Sequence, residues 1–89
     1  MKIVKHAVAG TLESSDILVS IEPQEKGRTI EIHSVVENQF FEVILAAVED
    51  VLDELQIESG KLMIQDRGAL DCVIRARVET AVKRGGVLS

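Results

Sequence analysis

Aromatic residues are scarce in this chain of 89 residues, which has no Trp or Tyr and only Phe40 and Phe41. The core must therefore be built from Val, Ile, Leu and Ala, and a hydrophobic fraction of 46% is large enough for that. Basic residues are also few, with 10 Lys and Arg against 15 Asp and Glu. An acidic chain without stacking aromatics is poorly suited to nucleic acid, so we expect no nucleic-acid partner.

Cysteine, metal-binding clusters and long apolar runs are equally sparse. The single cysteine, Cys72, excludes an internal disulfide, and its position one residue off a predicted buried helix stripe favours a small packing residue over a nucleophile. No residues resemble a metal site, the first residues lack a signal-peptide pattern, and no apolar run reaches the ~20 residues that span a bilayer. We expect a soluble, cytoplasmic protein without metal or membrane contact.

Apolar periodicity predicts four strands and two helices. The strands fall at residues 7–12, 17–21, 28–33 and 61–65. Ser34 and Glu37 have the spacing of a capping box, which predicts a first helix from Ser34 to before Ser59. A second helix is predicted between Gly68 and Gly85. The order β-β-β-α-β-α predicts one α+β domain over residues 1–89, a two-layer sandwich of a small sheet covered by two helices.

The predicted helices have apolar residues at three- and four-residue steps, which we expect to face the core. In the first helix these are Val36, Phe40, Val43, Ile44, Ala47, Val51, Leu52 and Leu55. In the second they are Leu70, Val73, Ile74, Val78, Ala81 and Val82.

Ser14 and Ser15 lie at the predicted turn of a hairpin, in the stretch AVAGTLESSDILVSIEP. Ser-Ser-Asp is ordinary turn chemistry, because these side chains hydrogen-bond their own backbone. A nucleophilic serine needs a base, and the only histidines, His6 and His33, are not placed near it by any motif. A serine modified by another enzyme needs only exposure, which a loop tip supplies.

Acidic residues fill the segment between Arg28 and Lys61, which has no Lys or Arg. They are Glu31, Glu37, Glu42, Glu49, Asp50, Asp53, Glu54 and Glu58. Several crowd the C-terminal half of the first helix, where the helix dipole disfavours negative charge. A docking surface for a basic partner would explain them, as would a solvated surface partly neutralised by Arg75, Arg77, Lys83 and Arg84. Pairs four residues apart, Arg75 with Glu79 and Glu79 with Lys83, are expected on the second helix.

Two segments resemble a known family. AVAGTLESSD near the N-terminus and DRGALDCVIRARVE from Asp66 to Glu79 are similar to the acyl carrier protein of citrate lyase, its gamma subunit. The similarity extends from about Ala7 to Arg84. In that family the serine of the Thr-Leu-Glu-Ser segment carries 2'-(5''-phosphoribosyl)-3'-dephospho-CoA through a phosphodiester. The resemblance implies that Ser14 is this residue, with Ser15, where the family often has Gly, as the alternative.

The resemblance also implies a carrier with no catalytic residue of its own. Its partners would be the citrate lyase alpha (acyltransferase) and beta (lyase) subunits and a prosthetic-group transferase, in a citrate-fermenting bacterium. It would present acetyl and citryl thioesters while citrate is cleaved to acetate and oxaloacetate. Two alternatives stay open, an acyl carrier subunit of malonate decarboxylase and a small-ligand regulatory or interaction domain.

Overall fold

The computed structural model of the chain describes residues 1–35 and 40–88. Within these residues the order is β-β-β-β-α-β-α-β. The strands are β1 (Lys2–Ile3), β2 (Ala7–Gly10), β3 (Ile17–Glu22), β4 (Arg28–Ser34), β5 (Gly60–Asp66) and β6 (Gly86–Val87), and the helices are α1 (Phe41–Glu54) and α2 (Asp71–Gly85). The predicted α+β class is confirmed, with the predicted elements in the predicted order.

Four strands form one mixed sheet in the order β2-β3-β5-β4. β3 pairs antiparallel with both β2 and β5, whereas β4 and β5 are parallel and α1 crosses between them. A separate antiparallel pair joins β1 to β6 and so brings the two ends of the chain together. The sequence did not predict this pair, because two-residue strands carry no periodicity.

The core is aliphatic and lies between one face of the sheet and the two helices. Alternate residues of β3 and β5 are fully buried, among them Ile17, Val19 and Ile64. The helices contribute Val48, Leu52, Val78 and Val82 in particular, each with 0% exposure. The expected use of Val, Ile, Leu and Ala is therefore confirmed.

The predicted start of the first helix is wrong. Ser34 is the last residue of β4, and its hydroxyl donates a hydrogen bond to the Asp66 carboxylate at 2.8 Å. α1 begins only at Phe41, after Phe40. Glu37 and Val36, the other residues of the predicted helix start, lie outside the described residues. The parallel pairing of β4 with β5 extends to Ser34 and Asp66, so Ser34 belongs to the sheet.

Several predicted core residues lie at the surface instead. Phe40 is 46% exposed, Val43 is 55% exposed and Leu70 is 70% exposed. Cys72 is also exposed, so its predicted packing role is wrong. All four belong to the first turns of the helices or to the residues just before them.

Candidate functional site

The hairpin loop, residues 11–16, connects β2 to β3 and places Ser14 and Ser15 at its turn, as predicted. Its geometry begins with Gly10, the last residue of β2, which has φ +95°. A Cβ at this position would lie 1.8 Å from the Ile17 carbonyl oxygen. Only glycine therefore allows the chain to leave β2 in this direction.

Backbone hydrogen bonds fix the loop to the residue that follows β5. The Ser15 N–H donates to the Arg67 carbonyl, and the Arg67 N–H donates to the Asp16 carbonyl, both at 2.9 Å. The Asp16 N–H closes the turn by donating to the Glu13 carbonyl at 3.1 Å. These bonds extend the β3–β5 pairing into the loop, so the tip of the loop has a defined position at the ends of these two strands.

Asp16 joins the loop to α2. The Arg77 guanidinium donates to both carboxylate oxygens, at 3.2 and 3.1 Å. The Thr11 hydroxyl donates to Oδ2 at 2.6 Å, and the Ile17 N–H donates to Oδ1 at 2.7 Å. The hydrogen bonds from Thr11 and Ile17, together with Arg77, lower the pKa of Asp16 to about 2. The carboxylate is therefore charged at neutral pH and holds the loop against the helix.

The two serines of the loop differ in backbone conformation. Both are exposed, and within the described part of the chain neither hydroxyl has a hydrogen-bond partner. Ser15 has φ +65°, the left-handed conformation that glycine adopts most easily. This conformation is the physical reason why glycine would suit the position of Ser15. Ser14 has no such restriction and presents its hydroxyl at the tip.

The histidines do not interact with the hairpin loop. His6 Nε2 lies 3.0 Å from the Ser20 hydroxyl, just before β2 and at the opposite end of the hairpin. His33 Nε2 lies 3.1 Å from the Glu31 carboxylate on β4, which is separated from β3 by β5. The described residues therefore bring neither imidazole to Ser14 as a general base.

The acidic segment is only partly neutralised. Asp50 is paired with Arg75 at 3.0 Å, and Asp53 is paired with Arg28 at 2.7 Å. The other three bases that were proposed to neutralise the acidic segment have partners elsewhere. Arg77 binds Asp16, and Lys83 pairs with Glu79 at 2.6 Å. Arg84 donates a hydrogen bond to the Val8 carbonyl at 2.8 Å. The Glu79–Lys83 pair is as predicted, whereas Arg75 pairs with Asp71 rather than with Glu79.

Sequence reasoning missed the residues that hold the loop. Thr11, Arg67 and Arg77 were not singled out individually, although all three lie within the two segments that carried the resemblance. Their roles depend on contacts such as Arg77 to Asp16, which are 61 residues apart in sequence. No local pattern could have predicted such a pair.

Neither a metal site nor a membrane span is found in residues 1–35 and 40–88. No group of three or more His, Cys, Asp or Glu among them could hold a metal ion. Neither α1 nor α2 is long and apolar enough to cross a membrane.

Known proteins resemble the chain over almost its whole length. The family model of the malonate decarboxylase delta subunit (MdcD), an ACP family, matches residues 4–85. The citrate lyase acyl carrier protein of Pectobacterium atrosepticum is 51% identical over 84 residues, which cover 94% of this chain and 88% of that protein. The citrate lyase acyl carrier protein of Treponema denticola is 50% identical over 84 residues, covering 94% of this chain and 95% of that protein.

A solved structure has the same fold. It is a chain in the crystal structure of a Pseudomonas malonate decarboxylase hetero-tetramer in complex with malonate. The TM-score is 0.81 at 26% sequence identity, and the match covers 92% of this chain and 84% of that chain.

Proposed function

The chain belongs to the citrate lyase acyl carrier protein family, and from this membership we propose that it is the acyl carrier subunit of citrate lyase, with Ser14 as the residue that carries its prosthetic group. Its structural support is that Ser14 lies at the exposed tip of a loop held by the Arg67 backbone and by Arg77 of α2, and that Ser14, unlike Ser15, has no left-handed φ. A fixed base for a flexible attached group suits a carrier, since the group then explores a defined volume.

The residues present fit a covalently attached group of the phosphoribosyl-dephospho-CoA class. The Ser14 hydroxyl has no hydrogen-bond partner in the described chain, so forming a phosphodiester there breaks no contact of the fold. The tip is exposed, which leaves room for a large substituent. Arg67 is also exposed, and its backbone lies beside the loop through two hydrogen bonds.

The attached group would supply a thiol at the end of a long flexible arm, on which an acyl group is carried as a thioester. The chain itself fixes the position of the residue to which the group is attached. Asp16 and Arg77 hold the loop against α2, and the Arg67 backbone extends the sheet beneath it. We propose that the chain is itself non-catalytic, that a modifying transferase supplies the base needed at Ser14, and that the alpha and beta subunits of citrate lyase are its partners.

Malonate decarboxylase is the second candidate complex. The family model and the hetero-tetramer structure both favour it, because both are named for that enzyme. The sequence identity is 26% to that structure against 51% to the Pectobacterium protein, so citrate lyase is the better assignment. Activity of the modified chain with purified subunits of each enzyme would separate the two.

The attachment site is tested by intact mass and peptide mapping across residues 6–26. We expect a mass increase of one phosphoribosyl-dephospho-CoA group on the protein purified from its own host, and no increase from a host without the modifying enzymes. Ser14→Ala should abolish the modification, whereas Ser15→Ala, its matched control, should retain it. Modification of Ser15 would move the site by one residue, and an unmodified chain beside active citrate lyase would refute the carrier role.

A further inference from the structure

A shallow groove of about 200 Å³ lies between the start of α1 and the start of α2. One wall is formed by Phe40, Val43 and Ile44, and the other includes Ala69 and Ile74. The lining is mainly apolar, and of the residues just named Phe40 and Val43 are exposed whereas Ile44 and Ile74 are buried.

The α1 wall of the groove includes exposed apolar side chains. Phe40 is one of only two aromatic residues, and it lies 46% exposed beside Val43, which is 55% exposed. The core contains neither phenylalanine, so the chain leaves both of its aromatic rings at the surface while aliphatic side chains fill the interior. Exposed apolar side chains that line a groove are available for contact with a ligand or partner.

The groove adjoins the hairpin loop. Gly68 lines it, and Gly68 directly follows Arg67, whose carbonyl accepts the hydrogen bond from the Ser15 N–H at 2.9 Å. Standard bond lengths along this path place the Cα of Gly68 within about 12 Å of the Cα of Ser14. A group attached to Ser14 therefore begins within reach of the groove.

The polar part of the groove consists of carboxylates. Asp66 is 2% exposed and accepts hydrogen bonds from the Ser34 hydroxyl at 2.8 Å and the Ala69 N–H at 3.0 Å. Asp71 accepts one from Arg75 at 2.7 Å. The buried Asp66 carboxylate is therefore not available to a ligand, whereas the exposed Asp71 carboxylate keeps lone pairs that can accept a bond from a ligand N–H.

We propose that the groove binds the adenine base of the nucleotide attached to Ser14, an inference that rests on the proposed function. The base is flat and neutral, it can stack on the Phe40 ring, and its amino group can donate to the Asp71 carboxylate. The far end of the arm, with its thiol, then remains free for the partner subunits.

Tethering makes even a weak site effective. A short flexible link gives a local concentration in the millimolar range, so a base with a Kd of about 1 mM occupies the groove about half of the time. Free dephospho-CoA at micromolar concentration would leave the same groove empty. The interaction is therefore to be sought in the modified protein.

The test compares apo and modified protein by NMR, after intact mass has established the modification. We expect ring-current shifts of the Ile44, Ala69 and Ile74 methyl groups on modification, and nuclear Overhauser effects between these methyls and the adenine H2 and H8 protons. Phe40→Ala should abolish the shifts. Phe41→Ala is the matched control, because Phe41 is 43% exposed but does not line the groove, and it should retain them.

Three outcomes would overturn the inference, and they have different meanings. Identical methyl spectra in apo and modified wild-type protein would leave the proposed function intact and show that the groove is empty or binds a partner subunit. Overhauser effects to pantetheine protons instead of adenine would assign the groove to the arm. No modification of any serine would refute the proposed function itself, and the inference with it. The comparison of apo and modified wild-type protein tests the inference even if the Phe40→Ala chain is not modified.

Discussion

Asp16 shows how a single residue can fix a loop that has no core of its own. Its carboxylate accepts hydrogen bonds from the loop residue Thr11, from the Ile17 backbone at the start of β3 and from Arg77 on α2. It therefore connects the loop, the sheet and the helix at one point. Its side chain is 15% exposed, which limits the competition from water for these bonds.

The charge of Asp16 gives the loop a defined pH dependence. The pKa of Asp16, about 2, lies below the value of about 3.9 in an unfolded chain. The charged form thus stabilises the fold above about pH 4, and this contribution disappears as the pH falls through 2. We expect Asp16→Asn to lower Tm at pH 7, and the difference from wild type to vanish near pH 2.

Thermal melts between pH 2 and 7 measure this difference. Glu25→Gln, on an exposed turn residue, is the control and should leave Tm unchanged throughout. A deficit in the Asp16→Asn protein that is equally large at pH 2 would mean that packing, not charge, holds the loop.

Ser15 provides a second prediction at the residue scale. Because its φ is +65°, replacing it with glycine removes a conformational cost of about 1 kcal/mol. Glycine also has a larger backbone entropy in the unfolded chain, and this opposes the gain. We therefore expect Ser15→Gly to change the free energy of unfolding by less than about 0.5 kcal/mol. Ser14→Gly, where φ is not positive, should be destabilising by about 0.5–1 kcal/mol. Urea unfolding measures both, and equal losses would contradict the assigned backbone.

At the scale of the elements, the junction between β2 and the hairpin loop depends on Gly10. A Cβ there would overlap the Ile17 carbonyl, which belongs to the strand that pairs with β2. We expect Gly10→Ala to cost at least about 3 kcal/mol, because both the left-handed φ and the overlap must be accommodated. Gly27 is the matched control, since it has φ +73° but nothing within 4 Å of an added Cβ.

Gly27→Ala should therefore cost only about 1 kcal/mol, the conformational part alone. Chemical denaturation of both variants measures the two values. Similar losses would mean that the chain around Gly10 can move away from Ile17, and that β2 does not set the direction of the loop.

The sequence predicted the elements whose signal is local and missed those that depend on distant residues. β3 and β5 have clear alternation of buried and exposed residues, and the stripe of α2 from Ile74 to Val82 is buried as expected. The predicted start of α1 was wrong because Ser34 ends β4, whose length depends on its pairing with the distant strand β5. The turn at Ser14 could be predicted because its signal is local. The attachment of this turn to Arg67 and Arg77 could not, because those residues are distant in sequence.

At the scale of the whole molecule, the charges are unevenly distributed. The chain has a net charge of −5, and the bases of α2 are largely occupied by partners other than the acids of α1. Arg75 is the exception, since it joins Asp50 to Asp71 across the two helices. Glu49 and Glu54 on α1 are exposed and have no ion-pair partner among residues 1–35 and 40–88. This part of α1 is the best candidate for a surface that attracts a basic partner.

Charge reversal at these two residues tests the idea without breaking an ion pair of the fold. We expect Glu49→Lys with Glu54→Lys to slow association with the citrate lyase alpha or beta subunit about tenfold at low ionic strength, because electrostatic steering is lost. The effect should shrink as salt is raised, since the Debye length falls to about 8 Å at 0.15 M. Glu22→Lys with Glu25→Lys changes the net charge equally, at the end of β3 and in the turn that follows it, and serves as the control. The Glu22–Lys61 pair that this control breaks is exposed and 4.0 Å long, so its loss costs little. Stopped-flow association at several salt concentrations gives the rates. Equal slowing by both pairs would assign the effect to net charge, and no slowing by either would remove α1 from the docking surface.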